Sequence, residues 1–125
     1  KLPCERLLTF PFARVVRRRT PWGTDQDGLL FYGIVKHQWV ACDAHGGFLF
    51  NAVIQGTGAS LLRYAAKNLD IAGFPVVLRL HDEFIAEGTP DQFDDFKRII
   101  LQVPPWAEGL RLNGAGWIGP RFKKD

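Results

Sequence analysis

Apolar residues recur at helical spacing in two stretches of the chain. Over residues 48–72 this spacing predicts the longest helix, with Ile54, Leu61 and Ala65 on one face and Gly73 as the C-cap that ends it. A second, shorter helix is predicted from Pro90 to about residue 101. Thr89 is its predicted N-cap, because a hydroxyl before Pro at the first helical position is a common helix start.

Short β-rich runs between turn residues predict an antiparallel sheet. Residues 7–19 are interrupted by Pro11 and predict two short strands or an interrupted edge strand, whereas residues 21–28 are interpreted as a loop. Because Val76, Val77 and Leu78 form an almost continuous apolar run, their strand is predicted to be buried at the centre of the sheet. The predicted strands after the loop are residues 29–35, 38–42, 75–80, 84–86 and 114–122. The pattern predicts one α+β domain over residues 1–125, with one long and one shorter helix.

Two glycines fall inside the long predicted helix. Gly56 and Gly58 each cost about 1 kcal/mol against Ala in a helix interior. Their position predicts that a neighbouring strand or another backbone approaches the helix closely there.

Composition supports a folded chain. Of the 125 residues, 46% are hydrophobic and 23% are charged, which excludes a disordered chain. No apolar run approaches the roughly 20 residues of a membrane helix, so no membrane partner is expected. The sequence contains no Met, which leads us to expect that its natural start lies upstream of Lys1.

Basic residues cluster near the amino terminus, although the net charge is only +3. Within the first nineteen residues a single acidic residue, Glu5, stands against this cluster. The pattern is compatible with binding of a polyanion such as nucleic acid, or with a solvated strand edge kept basic against aggregation. The cluster consists of Lys1, Arg6, Arg14, Arg17, Arg18 and Arg19.

Cys4 and Cys42 are the only cysteines, and two cysteines do not form a disulfide framework. Their number fits a reducing compartment. Cys42, His45 and His37 could be drawn as zinc ligands, but a fourth ligand at a suitable spacing is missing.

The most informative segment is His81-Asp82-Glu83, three polar residues between two apolar runs. This arrangement predicts a β-hairpin whose tip carries a pair of carboxylates. Carboxylate oxygens are the ligands that Mg²⁺ prefers, and two-metal phosphoryl transfer uses such residues. The alternative is a polar turn without a ligand.

The chain resembles family A DNA polymerases, the group of bacterial DNA polymerase I. Asn51 and Gln55-Gly56-Thr57 match a helix of the form N-x-x-x-Q-G-T-A-A-D, which in that family precedes the motif C hairpin His-Asp-Glu. Gly46-Gly47 and the segments 105–110 and 116–123 are similar to the bacteriophage-type branch, and residues 2–6, L-P-C-E-R, are similar to its L-P-S-G-R element. The resemblance covers nearly the whole chain, in order.

The resemblance implies a role for each matching residue. Asp82 would be the metal-binding catalytic carboxylate of motif C, Glu83 the second carboxylate, and His81 a contact to the primer terminus. Asn51 and Gln55, at i and i+4 on one helix face, would look into the DNA minor groove; the alternative is helix-capping or solvent-facing amides. The predicted DNA-binding set is His81, Asn51, Gln55, Arg79, Arg6, Arg14 and Arg17.

Some family features differ or are missing. Gly58-Ala59 and Ser60 replace A-A-D, Gly47 stands where many relatives carry Arg, and Glu5 replaces the Gly of L-P-S-G-R. Nothing resembles motif A, with its catalytic Asp, or the motif B fingers helix.

The resemblance therefore implies the carboxyl-terminal part of a polymerase palm. Its expected cofactor is Mg²⁺, in a two-metal site completed by a motif A Asp from outside the chain. Expected partners are primer–template DNA, deoxynucleoside triphosphates and the rest of the polymerase, as upstream chain or separate subunit, in the cytoplasm of a bacterial or phage-infected cell. The alternatives are a non-catalytic DNA-binding or assembly module with the palm fold, and a small metal-dependent nuclease.

Overall fold

The computed structural model describes residues 1–122 and contains five strands and two α-helices in this range. The strands are Arg14–Arg19 (β1), Asp25–Val35 (β2), Gln38–Ala44 (β3), Val76–Leu80 (β4) and Glu83–Ala86 (β5), and the helices are Gly46–Ile71 (α1) and Phe93–Ile100 (α2). All strand pairs are antiparallel, so the α+β prediction is confirmed, with two separate sheets instead of one. The chain divides into two compact units, Lys1–Thr57 and a second that begins at Gly58, and each is described by itself.

The first unit is built on the three-stranded sheet, in the order β1-β2-β3. Phe31 on β2 is buried, and the rings of Phe10 and Phe48 pack around it in the core of this unit. The ring centroid of Phe10 lies 5.3 Å from that of Phe31 in an edge-to-face arrangement, and that of Phe48 lies 5.7 Å away. Such geometries add to the free energy of burial, by about 0.5–1.5 kcal/mol per pair.

Strand β2 begins earlier than the sequence pattern predicts. Residues 21–28 are not one loop, because β2 already starts at Asp25. Asp25 lies opposite Arg19 and Asp27 lies opposite Arg17 in the register with β1. Opposite charges on facing positions stabilise a strand pair, so a polar stretch that looks like a loop is a strand here. β1 itself is a single edge strand, and of the predicted run 7–19 only its last part is a strand.

The two glycines of α1 differ. A Cβ atom added at Gly56 would lie 2.9 Å from Cδ1 of Leu2, which is itself buried, so the predicted close approach is present and comes from a side chain. At Gly58 a Cβ would meet nothing within 4 Å. The prediction of a close approach is therefore wrong for Gly58.

In the second unit, β4 and β5 form a sheet of two strands. The prediction that β4 is a buried central strand is wrong, since Val76, Val77 and Leu78 are all exposed. Within the described part of the chain, β4 has one strand neighbour and is therefore an edge, not a centre. Of the predicted apolar face of α1, Ala65 is buried, Leu61 is half-buried and Ile54 is exposed. Leu69, one turn after Ala65, is also buried.

The helical segment begins at Pro90 as the sequence predicts, although its first turn is a 3-10 turn and α2 itself begins at Phe93. Thr89 is the N-cap of a short 3-10 turn, Pro90–Gln92, which leads into α2, and the backbone N–H of Thr89 donates to Oε1 of Gln92 at 2.9 Å. The Thr89 hydroxyl also bonds Asp91 and lowers the pKa of that carboxyl. Ile99 of α2 is buried, and Phe74 packs edge to face on Phe96 with ring centroids 5.3 Å apart.

The predicted closing strand at residues 114–122 is not a strand. Gly114, Gly116 and Gly119 weaken strand formation, and no described strand pairs with this segment. Lys123, the last residue of the similar segment 116–123, lies outside the described residues. None of the helices described for this chain is long and apolar enough to span a bilayer.

Candidate carboxylate hairpin and nucleic-acid interface

His81 and Asp82 form the two-residue turn between β4 and β5. Leu80 faces Glu83 at the end of the strand pair, so Asp82 and Glu83 are held at the tip as predicted. His81 adopts a φ of +50°, the left-handed conformation that lets so short a turn reverse the chain. All three side chains are exposed.

The two carboxylates at the hairpin tip are suitable ligands for Mg²⁺, but two ligands alone do not form a metal site. Asp82 and Glu83 form no ion pair or hydrogen bond within residues 1–122, so their oxygens are available. However, no three His, Cys, Asp or Glu side chains of the described residues are grouped to hold a metal ion. Mg²⁺ is octahedral, and two neighbouring carboxylates alone leave most of its coordination to water.

The zinc alternative has no support in the described structure, which contains no such group of ligands. His45 has another role, because its Nδ1 accepts the backbone N–H of Phe48 at 3.3 Å, in the first turn of α1. The Cys42 thiol is half-buried and lies 3.6 Å from the Val40 carbonyl oxygen.

Asn51 and Gln55 lie one turn apart on α1, and both are exposed. Because α1 begins at Gly46, neither amide is a helix cap. Their side chains have no hydrogen-bond partner among the described residues, so this face of α1 is open to a ligand or to solvent. They belong to the first unit, whereas the carboxylate hairpin belongs to the second.

Arg6 is placed differently from the other basic residues of the amino-terminal cluster. It is half-buried, and its Nη2 donates to the carbonyl oxygen of Gly56 at 2.6 Å. Its Nε is buried without a hydrogen-bond partner in the described structure. Arg6 therefore ties the amino-terminal segment to α1, whatever else it contacts.

The other predicted DNA-binding arginines are exposed on strands. Arg14 and Arg17 lie on β1, an edge strand, and Arg17 forms an ion pair with Asp25, Nε to Oδ2 3.8 Å. Arg79 lies on β4 opposite Phe84. An exposed basic edge fits a polyanion, and it equally fits protection of the strand edge.

Two features beyond the predicted residues stand out. Glu5, which replaces the Gly of the L-P-S-G-R element, has a φ of +66°, the conformation that favours Gly. Trp22, interpreted from the sequence as part of a loop, is 85% exposed at the tip of the β1–β2 hairpin. The sequence feature that could have indicated Trp22 is the Trp22-Gly23 pair, which is separated from three consecutive arginines by two residues.

The chain is similar to a DNA polymerase. The relative is the DNA polymerase of Bacillus phage SP02, which is 29% identical over 90 residues. The match covers 70% of this chain and 14% of that polymerase, so the chain spans only a small part of its length. No protein-family model matches the chain, and no solved structure matches it either. The predicted relationship to a phage DNA polymerase is thus supported.

Proposed function

We propose that the chain is the carboxyl-terminal palm segment of a bacteriophage-type family A DNA polymerase, acting in the cytoplasm of a bacterial or phage-infected cell. Its β4–β5 hairpin supplies the motif C carboxylates for template-directed nucleotidyl transfer. The observation that carries this proposal is the pair of exposed carboxylates, Asp82 and Glu83, at a two-residue hairpin turn in a chain similar to a phage polymerase.

The backbone conformation of Glu5 also supports the proposal. An L-residue in the left-handed region costs about 1–2 kcal/mol, which Gly avoids. The resemblance places a Gly at this position, and the backbone of the chain has the φ that a Gly would favour. A backbone shape that suits the Gly, retained around a Glu, is compatible with descent from the L-P-S-G-R element.

The exposed apolar side of β4 fits a segment that works as part of a larger protein. Val76, Val77 and Leu78 have the composition of a buried strand but are exposed in the described structure. Because consecutive side chains of a strand point to opposite faces, β4 exposes apolar residues on both faces, which fits a strand that other protein segments cover. The rest of the palm, with the motif A strand, is the proposed cover.

The proposed cofactor is Mg²⁺, with Asp82 and Glu83 as its ligands from this chain and a motif A Asp from outside it. When bound, such ions activate the attacking oxygen and neutralise charge on the leaving group. The contribution of the hairpin is to hold both carboxylates at a turn that two paired strands fix. Asn51 and Gln55 are proposed to contact the minor groove of the primer–template, where acceptors are similar in all base pairs.

The proposal is tested by primer extension with the chain alone and with the upstream remainder of its polymerase added. The chain alone is expected to be inactive, and the mixture active. In the mixture, Asp82→Ala should lower the extension rate by orders of magnitude, because it removes a metal ligand, and Glu83→Ala should cost less. Asp94→Asn on α2, also exposed, is the matched control and should leave the rate unchanged.

Three outcomes would contradict the proposal. Extension by the chain alone would show that the ligand count is wrong, and an unchanged rate in Asp82→Ala would remove the motif C assignment. An inactive mixture, with both pieces folded and bound to each other, would favour the non-catalytic module. The described residues contain no group of three potential metal ligands, and this observation favours the non-catalytic module as the second candidate function.

A further inference from the structure

The tip of the β1–β2 hairpin is an ordered loop, here called the tip loop and consisting of residues 20–24. Four hydrogen bonds hold it, three between Thr20 and Thr24 and one between Gly23 and Thr20. Thr20 N–H donates to the Thr24 carbonyl at 2.8 Å, Gly23 N–H to the Thr20 carbonyl at 2.9 Å, and Thr24 N–H to the Thr20 hydroxyl at 3.2 Å, while the two hydroxyls lie 2.7 Å apart. Gly23, at a φ of +81°, allows the reversal.

This ordered loop presents Trp22 to solvent. The side chain is 85% exposed, and its ring stacks on no other ring of the described residues. A large aromatic surface is left in water, on a loop whose conformation is already fixed. Binding to such a loop loses little conformational entropy, so the indole is suited to stack on a flat ligand.

The charge around the tip loop selects the class of ligand. Arg17, Arg18 and Arg19 immediately precede it, and Asp25 and Asp27 follow it. Arg17 is paired with Asp25 and Arg18 with Asp43, but these pairs are exposed, and exposed pairs contribute only about 0–1 kcal/mol. Arg19 has no ion-pair partner among the described residues. Asp25, Asp27 and Asp43 balance the charge of the three arginines, but Arg19, three residues before Trp22, is available for a phosphate, and the exposed pairs of Arg17 and Arg18 can open at little cost.

We propose that the tip loop is a stacking site for an unpaired base of a single-stranded nucleic acid. The indole of Trp22 stacks on the base, and Arg19 with its neighbours contacts the flanking phosphates. Stacking tolerates any base, because every base has a π-face, so binding should be independent of sequence. A duplex offers no such face away from its ends, which separates this site from the proposed minor-groove contacts of Asn51 and Gln55.

The test compares a fluorescein-labelled mixed-sequence single strand with a blunt duplex of the same length, by anisotropy at low salt. Trp22→Ala should weaken binding of the single strand by about fivefold or more, as loss of one stacked base does, with less change for the duplex. Trp22→Phe should keep most of the affinity. Trp39→Ala is the matched control, since Trp39 is 59% exposed on β3 of the same unit.

A further variant tests the arginine part. Arg19→Ala should reduce the slope of log affinity against log salt by about 0.7, the value for one phosphate contact on a single strand. The melting temperature of each variant checks that the fold is intact.

The proposal fails if Trp22→Ala binds the single strand like the unchanged chain, or if it weakens single strand and duplex equally. An equal loss in Trp39→Ala would move the stacking site to the sheet face and also overturn it. None of these results affects the proposed polymerase function, because the extension assay depends on Asp82.

Discussion

The sheets of the two units differ in whether they contain a buried residue: β2 and β3 each have one, and β4 and β5 have none. In the three-stranded sheet, Phe31 is buried between Phe10 and Phe48. In the two-stranded sheet, Val77 is 57% exposed and its neighbours on β4 are exposed as well. Both sheets contain an apolar run, residues 29–32 of β2 and 76–78 of β4, so composition alone does not account for the difference.

The difference teaches that burial depends on what packs on a strand, not only on its residues. An isolated two-stranded hairpin is marginally stable in water. The first sheet has a third strand and aromatic side chains from outside the sheet to cover one face. The second has only two strands and no buried residue within the described part of the chain, which is why β4 is proposed to meet the rest of a polymerase.

The largest expected effect separates the two sheets directly. Phe31→Ala should lower the free energy of unfolding by about 3 kcal/mol, because it removes a buried ring and leaves a cavity. Val77→Ala should cost less than about 1 kcal/mol, because most of that side chain is already in water. Urea denaturation of both variants measures the difference.

The same two variants can contradict the proposed difference between the sheets. If Val77→Ala costs as much as Phe31→Ala, β4 is buried in solution. Denaturation at several protein concentrations would then identify self-association as the cover, because only that effect depends on concentration.

The second prediction compares two glycines of the same helix. Gly58→Ala should stabilise the chain by about 0.5–1 kcal/mol, because a Cβ there meets open space and Ala favours the helix. Gly56→Ala should be destabilising instead, by about 1 kcal/mol, since its Cβ would push on the buried side chain of Leu2. Thermal unfolding measures both, and equal effects would contradict the packing of Leu2 against α1.

The smallest effect concerns two of the residues with left-handed backbone, Glu5 in the first unit and His81 in the second. Glu5→Gly should stabilise by about 0.5 kcal/mol, since it removes backbone strain at some cost in chain entropy and in the exposed ion pair with Lys1. His81→Gly should raise the free energy of unfolding by a smaller amount if the β4–β5 hairpin frays. A larger gain at His81, measured by denaturation, would mean that the two-stranded sheet is the better ordered of the two.

Local patterns predicted the helices and the carboxylate hairpin well. Helical spacing located α1 to within about two residues, and Thr89 with Pro90 located the start of α2, because caps and periodicity depend on neighbouring residues. The turn at Asp82 was predictable for the same reason. The start of β2 was not, since Asp25 lies opposite Arg19 in the register with β1 and forms its ion pair with Arg17 on the same strand.

Burial and site completion could not be predicted from local patterns. The apolar run of β4 is the same whether or not another strand covers it. The hydrogen bond from Arg6 to Gly56 joins residues far apart in sequence, so nothing near Arg6 indicates it. Whether Asp82 and Glu83 bind Mg²⁺ depends on ligands that the described residues do not group with them.

The bond between Arg6 and Gly56 also sets an order of events during synthesis. The two residues are 50 positions apart, and ribosomes add about 5–20 residues per second. Arg6 and Leu2 therefore leave the ribosome roughly 3–10 s before Gly56 does, at that rate of elongation. During this interval the apolar side chain of Leu2 has no helix to pack on, so the segment around Leu2 stays open to a chaperone or protease until Gly56 has been synthesised.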